Sequence, residues 1–351
     1  MQQVKRLIHT VVGISVVTLG LSALVQAHHS TSEYDQTKLV EREGEIVKVF
    51  WRNPHVMLHM SAMEDGKQVI WLLEGSSVSS QVRRGLTKDL VNVGDKIRVA
   101  GYVSTRRDYD MLARHVLLPS GQELLLRGNG EPYWPEASVI AFKQGVDPEK
   151  AAAAKADGIF RVWSWGRLEP GWWFFADTDK FPLTEAALAK HAQWNEYVDN
   201  LQLECIAPGM PNTMGNPYPI EFIQIGDNIE MHAEEFDVVR TIHMNAEPDP
   251  SIPHSPLGYS VGHWEDDQTL VVSTANINYP YFNRVGVSQS EAVTTVERFN
   301  VDDAAGKLNY QLTVSDPSIL TEPYTWNGLW VWKPGEVVEM YDCAIDAGPT
   351  D

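Results

Sequence analysis

Three groups of residues in this sequence have the types and spacing for chemistry. The first is Arg240, Glu297 and His263, each on a segment that reads as a β-strand. A guanidinium, a carboxylate and an imidazole in one barrel interior can do general acid–base work, because burial and neighbouring charge tune their pKa values. Alternation along a strand turns Arg240 and His243 to opposite faces, and likewise Glu297 and Arg298, so only part of this polar set converges. Arg240 and Glu297 have apolar neighbours and suit an internal ion pair, which is more often structural than catalytic. Glu230, His232 and Glu234 share one strand face, and such a face is expected to meet water.

The second group is histidine: His28 and His29, with His55 and His59 further on. A free amine and imidazole at a mature N-terminus, joined by a third ring nitrogen, suit Cu(II), while Met57, Met60 and Met63 offer thioethers for Cu(I). The competing expectation is a His-His tail and ordinary barrel residues, with His55 hydrogen-bonded beside the Asn53-Pro54 turn. The third group is aromatic. Trp163, Trp165, Tyr324 and Trp326 are candidates for the wall of an apolar ligand pocket, with Trp172, Trp173, Trp330 and Trp332 near them. The same rings also suit a packed β-core.

A mature start at His28 requires a leader. Lys5 and Arg6, an apolar run from Leu7 to Val25 and the small-residue end Val25-Gln26-Ala27 read as a secretory signal peptide over 1–27. The expected location is the periplasm or outside the cell, with no stable membrane span after cleavage. Cys205 and Cys343, the two cysteines of the chain, can pair in that oxidising setting. Two cysteines also leave no room for a Cys-rich zinc module. Removal of the leader leaves 26 Lys+Arg against 47 Asp+Glu, an acidic balance that speaks against tracking nucleic-acid phosphates.

Charge marks the domains that must position these groups. Residues 28–130 carry 14 Lys+Arg and 13 Asp+Glu, whereas residues 131–351 carry 12 and 34, with ten of the 12 tryptophans. The division expected is an OB-like domain over 28–127, a Gly/Pro/Ala-rich linker over 128–157 and an antiparallel β domain over 158–351. In the first, strands are expected at 44–51, 55–62, 69–73, 96–103 and 111–118, with a helix over 76–90 between the third and fourth. That order suits an OB-like barrel. In the second, strands follow one another from Gly158–Trp165 to Val337–Tyr341, with one helix over 184–201 capped by Thr184. Such a run suits an up-and-down, lipocalin-like barrel or a curved sheet, able to enclose a small ligand. The fold class is therefore all-β, with few helices.

Trp51-Arg52-Asn53-Pro54-His55, shortly after a His-His-Ser start, resembles an uncharacterised family of exported bacterial proteins with an OB-like domain. The second domain resembles another exported module without an assigned function, through Pro208-Gly209-Met210-Pro211, Pro217-Tyr218-Pro219, Gly262-His263-Trp264-Glu265 and Glu297-Arg298-Phe299. That module often has Gly-Arg-x-His-Pro where this chain has Ala246-Glu247-Pro248-Asp249-Pro250, and His-Ser where it has Gln289-Ser290. The resemblances imply architecture and no activity. No nucleophile elbow, phosphate loop or dinucleotide fingerprint is present. The function expected is binding of a small, partly apolar molecule in the C-terminal barrel, without a cofactor; whether that molecule is also converted is left open by the sequence, and Arg240, Glu297 and His263 are the residues that acid–base conversion would use. The alternative is a periplasmic copper protein using His28, His29, His55 and His59.

Overall fold

The structure, a computed structural model, describes residues 33–128, 132–140, 148–155, 157–166, 180–346 and 348. The leader, His28, His29, Trp172, Trp173 and the strand expected over 171–176 lie outside these residues. Two closed barrels dominate. In the first, β1 (Val40–Phe50), β2 (Met57–Glu64), β3 (Lys67–Glu74), β4 (Lys96–Val103) and β5 (Asp110–Leu117) close in the order β1-β2-β3-β5-β4. The closing β3–β5 pair is parallel, with Leu72 opposite Asp110 and Glu74 opposite Leu112. Side-chain alternation sends Ile46, Leu58, Met60, Leu73, Val99 and Met111 into the core, all fully buried. Gly101 sits where β4 crosses β5, and a Cβ there would strike the Leu112 carbonyl.

The five strands and the helix between the third and fourth stand where the sequence places them. The helix is shorter than expected: α1 covers Val78–Arg83, with the Ser77 hydroxyl accepting from the Ser80 N–H at its start. It stops because Gly85 takes a left-handed φ of 76°, which turns Leu86 back into the core. β6 (Gln122–Leu125) and β7 (Ser138–Val139) extend the sheet beyond β5.

The second barrel has nine strands: β8 (Val162–Trp165), β9 (Ile220–Ile225), β10 (Asn228–Ala233), β11 (Val238–Met244), β12 (Tyr259–Asp266), β13 (Thr269–Ala275), β14 (Thr294–Asp302), β15 (Lys307–Ser315) and β16 (Tyr324–Val331). They close in the order β10 to β16, then β8 and β9. A closed ring with an odd number of strands cannot alternate throughout. The forced parallel pair is β11–β12, where Ile242 faces Ser260, and residues 245–258 make the crossover. The barrel is thus antiparallel except at this pair, which corrects the purely up-and-down expectation. Tight turns gather at one end, at Gly226, Asp267 and Asp303–Gly306, and the connecting segments 180–219, 276–293 and 316–323 gather at the other.

Two further expectations shift. The helix expected over 184–201 breaks into α2 (Glu185–His191) and α3 (Glu196–Asp199), while its cap holds, with Thr184 Oγ1 accepting from the Ala187 N–H at 3.3 Å. The break falls at Trp194, whose ring lies against Gly286 so closely that a Cβ there would overlap it. The strand expected at 337–341 is instead part of a non-strand strap over 336–346. Cys343 on this strap is bonded to Cys205. The strap runs across the seam between the barrels and is held on both sides. Tyr341 N–H donates to Asp237 at 2.9 Å on the second barrel, and Ala344 N–H donates to the Asn53 carbonyl at 3.0 Å on the first. Asp346 meets Lys48 and His59, both at 2.6 Å. No helix among the described residues is long and apolar enough to cross a membrane.

Candidate functional site

Inside the second barrel, strand register lays the inward residues in rows. One row reads Ser260, Thr274, Thr295, Val314 and Tyr324 across β12 to β16. The next reads Gly262, Val272, Glu297, Leu312 and Trp326. Arg240 enters from β11 and is 1% exposed, and Glu297 is fully buried. The guanidinium grips both carboxylate oxygens, Nη1 at 3.1 Å from Oε1 and Nη2 on Oε2. Its Nε donates to Ser260 at 2.9 Å and its Nη2 to Thr274 at 2.7 Å. Tyr310 donates its hydroxyl to Glu297 Oε1 at 2.7 Å, and burial together with the Glu297 charge pushes that phenol well above its ordinary range. A bidentate pair satisfied by its own walls avoids the large cost of a lone buried charge.

His263 does not join this pair. Ser260 points inward, so alternation turns His263 outward, and it is exposed. The third member of the expected acid–base set is therefore outside the barrel. The four expected wall residues divide. Trp163 is fully buried, donates to the Ile159 carbonyl at 2.9 Å and carries the Arg161 guanidinium 4.4 Å above its ring. Arg161 also lies 4.6 Å from the Trp332 ring and pairs with Asp303, so this stack closes the tight-turn end. Trp165 and Trp326 stack at 6.4 Å, and Tyr324 stacks on Phe181 at 4.4 Å. Beyond them Phe299, Tyr310 and Trp330 fill the interior toward the tight turns, with Tyr310 4.9 Å from Phe299 and 5.2 Å from Trp330.

The histidines go to separate partners. His55 Nδ1 lies 2.9 Å from Glu74 and 3.3 Å from Arg127, whereas His59 Nε2 meets Asp346. Among the described residues no group of three His, Cys, Asp or Glu is placed to hold a metal ion. Glu230 and His232 pair with each other at 2.9 Å on the half-exposed outer face, as alternation requires. Glu234 departs from that face. β10 ends at Ala233, and Glu234 is fully buried in the seam, gripped by both terminal nitrogens of Arg83 from the first barrel.

Two clusters escaped sequence reasoning because their members are far apart in the chain. In the first barrel Glu33, Glu74 and Asp110 are buried around Tyr34, whose hydroxyl lies 2.9 Å from Asp110 and 3.2 Å from Glu74. Burial pushes Asp110 up to about 7, with Glu74 and Glu33 adding to the rise while Arg107 and the Tyr34 hydrogen bond oppose it. At the seam, Glu235 is buried with Oε2 unpartnered. Burial pushes it up to about 8, against the pull of the Arg284 charge. Tyr218 and Tyr279 lie within its field, each pushed up to about 12, chiefly by burial. The turn that holds Glu235 puts two consecutive non-glycine residues, Phe236 and Asp237, at φ of 60° and 52°. Left-handed backbone at a bulky residue is costly and needs surrounding packing to hold it, here the Tyr341 ring 4.8 Å from Phe236. On the first barrel's outer face an open groove of about 710 Å³ includes Glu43, Met63, Lys96, Ile97, Arg98 and Leu118 in its lining.

Comparison with known proteins agrees with the sequence resemblance for the first barrel. Residues 16–110 match a family of unknown function, DUF6152. The match contains the Trp51-Arg52-Asn53-Pro54-His55 motif and ends at the first residue of β5, so the second barrel lies beyond it. No curated protein matches the chain. Within the motif, Asn53 has a clear physical task. It is 1% exposed, its amide donates to the Tyr341 carbonyl of the strap, and its Oδ1 accepts from the Val78 N–H at 2.9 Å.

Proposed function

We propose that this is an exported two-domain β protein whose C-terminal barrel binds a small, partly apolar molecule in the half nearer the long connections. One observation carries this reading: a row of buried hydroxyls and an internal ion pair stand beside aromatic rings in the same register rows. Thr295 shares its row with Tyr324, and Glu297 shares its row with Trp326. Few oriented polar groups against an aromatic wall make the usual chemistry of a small-molecule site. Phe299, Tyr310 and Trp330 fill the tight-turn half, so this reading seats the guest at the other, where Phe181, Leu183 and Leu320 pack onto the barrel from the connections. The leader over 1–27 and the Cys205–Cys343 bond support export to an oxidising compartment.

Binding is better supported than conversion. Arg240 and Glu297 spend their hydrogen bonds on each other and on Ser260, Thr274 and Tyr310, and His263 points away. The pair fixes a polar floor against which a guest can be oriented. The test is extraction of the purified protein with organic solvent after denaturation, followed by mass spectrometry of the extract, together with tryptophan fluorescence during titration of the apo protein. A bound small molecule that is lost in Trp326→Ala, with the fold retained, supports the reading. An empty protein whose tryptophan emission responds to no apolar probe overturns it.

A further inference from the structure

The barrel site also carries information about the charge of its guest. Arg240 and Glu297 form a closed pair: one charge cancels the other, and all three guanidinium nitrogens have partners in the wall. A carboxylate guest would have to take Arg240 from Glu297, and an ammonium guest would have to take Glu297 from Arg240. Either exchange leaves one buried charge unpaired, the arrangement that low-dielectric interiors penalise most. In the row of hydroxyls on the long-connection side, Thr295 Oγ1 is buried without a partner, and Thr295 is 1% exposed. Thr295 lies directly across from Thr274 on the neighbouring strand and in the row that ends at Tyr324. A hydroxyl can donate to a neutral oxygen, and it cannot balance a full charge.

We propose, as a deepening of the barrel-binding reading and resting on it, that this site selects uncharged molecules carrying one oxygen function on an apolar body, such as an alcohol or ketone, and that Thr295 grips the oxygen. Thr295 is thereby a specificity-determining residue, and the Arg240–Glu297 pair excludes ions by being already satisfied.

The test uses the mature full chain and four probes of one size, octan-1-ol, octan-2-one, octanoate and octylammonium, followed by tryptophan fluorescence and calorimetry. The neutral probes are expected to bind at least tenfold more tightly than the two ions. Thr295→Val, nearly the same shape without the hydroxyl, is expected to weaken the neutral probes about tenfold, the worth of one buried hydrogen bond, and Thr295→Ser to restore them. Near-UV circular dichroism confirms the fold of each variant. Octanoate or octylammonium binding as tightly as octanol overturns the charge selection. Equal octanol affinity in Thr295→Val and the native chain overturns the role of Thr295. In both cases binding that disappears in Trp326→Ala leaves the barrel reading standing. Failure of all four probes to bind the native chain overturns the barrel reading and this one with it.

Discussion

Glu235 offers a prediction whose size follows from its surroundings. Burial raises its pKa from the ordinary 4.5 to about 8, so the folded protein holds this proton more tightly than the unfolded chain does. The sign follows from linkage: the native state binds more protons, so stability falls as pH rises from about 4.5 to about 8 and levels off above that. A shift of roughly 3.5 units at about 1.4 kcal/mol each corresponds to on the order of 5 kcal/mol above pH 8. Near pH 5 the penalty is under about 1 kcal/mol. Glu235→Gln keeps the shape and removes the ionisation. The variant is therefore expected to gain on the native protein by about 4 kcal/mol between pH 5 and pH 9. Urea unfolding followed by tryptophan emission, with the disulfide intact, measures the gap at each pH. Asp110, raised to about 7, tilts both proteins in the same direction and cancels in the comparison. A gap between variant and native protein that is the same at pH 5 and pH 9 would refute the assignment of a buried, neutral Glu235.

Three further outcomes are expected. Glu297→Gln leaves the Arg240 charge alone in the barrel and should cost about 3–5 kcal/mol, whereas the joint change Arg240→Met with Glu297→Leu should cost less than the single one; urea melts of the three chains decide. Cys343→Ser removes a cross-link between residues 138 apart, worth at most about 5 kcal/mol on the chain-entropy estimate, and thermal melts with and without reductant should place the variant with the reduced native protein. Asn53→Ala leaves the Tyr341 carbonyl and the Val78 N–H without their partner, a loss of about 2–4 kcal/mol concentrated at the seam. Limited proteolysis should then cut the strap over 336–346 before either barrel, and a native cleavage pattern would show that the strap does not depend on Asn53.

Local pattern was enough to place most strands, because side-chain alternation and turn residues are written into short stretches of chain. The five strands of the first barrel, the cap at Thr184, the pairing of Cys205 with Cys343 and the inward turn of Arg240 and Glu297 all follow from neighbours in sequence or from counting. Other features depend on the closure of the chain on itself. The parallel β11–β12 pair exists because nine strands must form one ring, and no local signal carries that number. His263 has a polar, motif-like setting, but the inward placement of Ser260 fixes it on the outside. Glu234 looks like part of a wetted strand face until Arg83, 151 residues earlier, arrives to bury it. Asn53 belongs to a recognisable motif, yet its work is done on a strap nearly 300 residues away. Charge, periodicity and turn chemistry act over a few residues and can be read in order. Burial, and with it the raised pKa of Glu235 and the unmet hydroxyl of Thr295, depends on which distant segments exclude water from a given atom, and only the closed tertiary structure decides that.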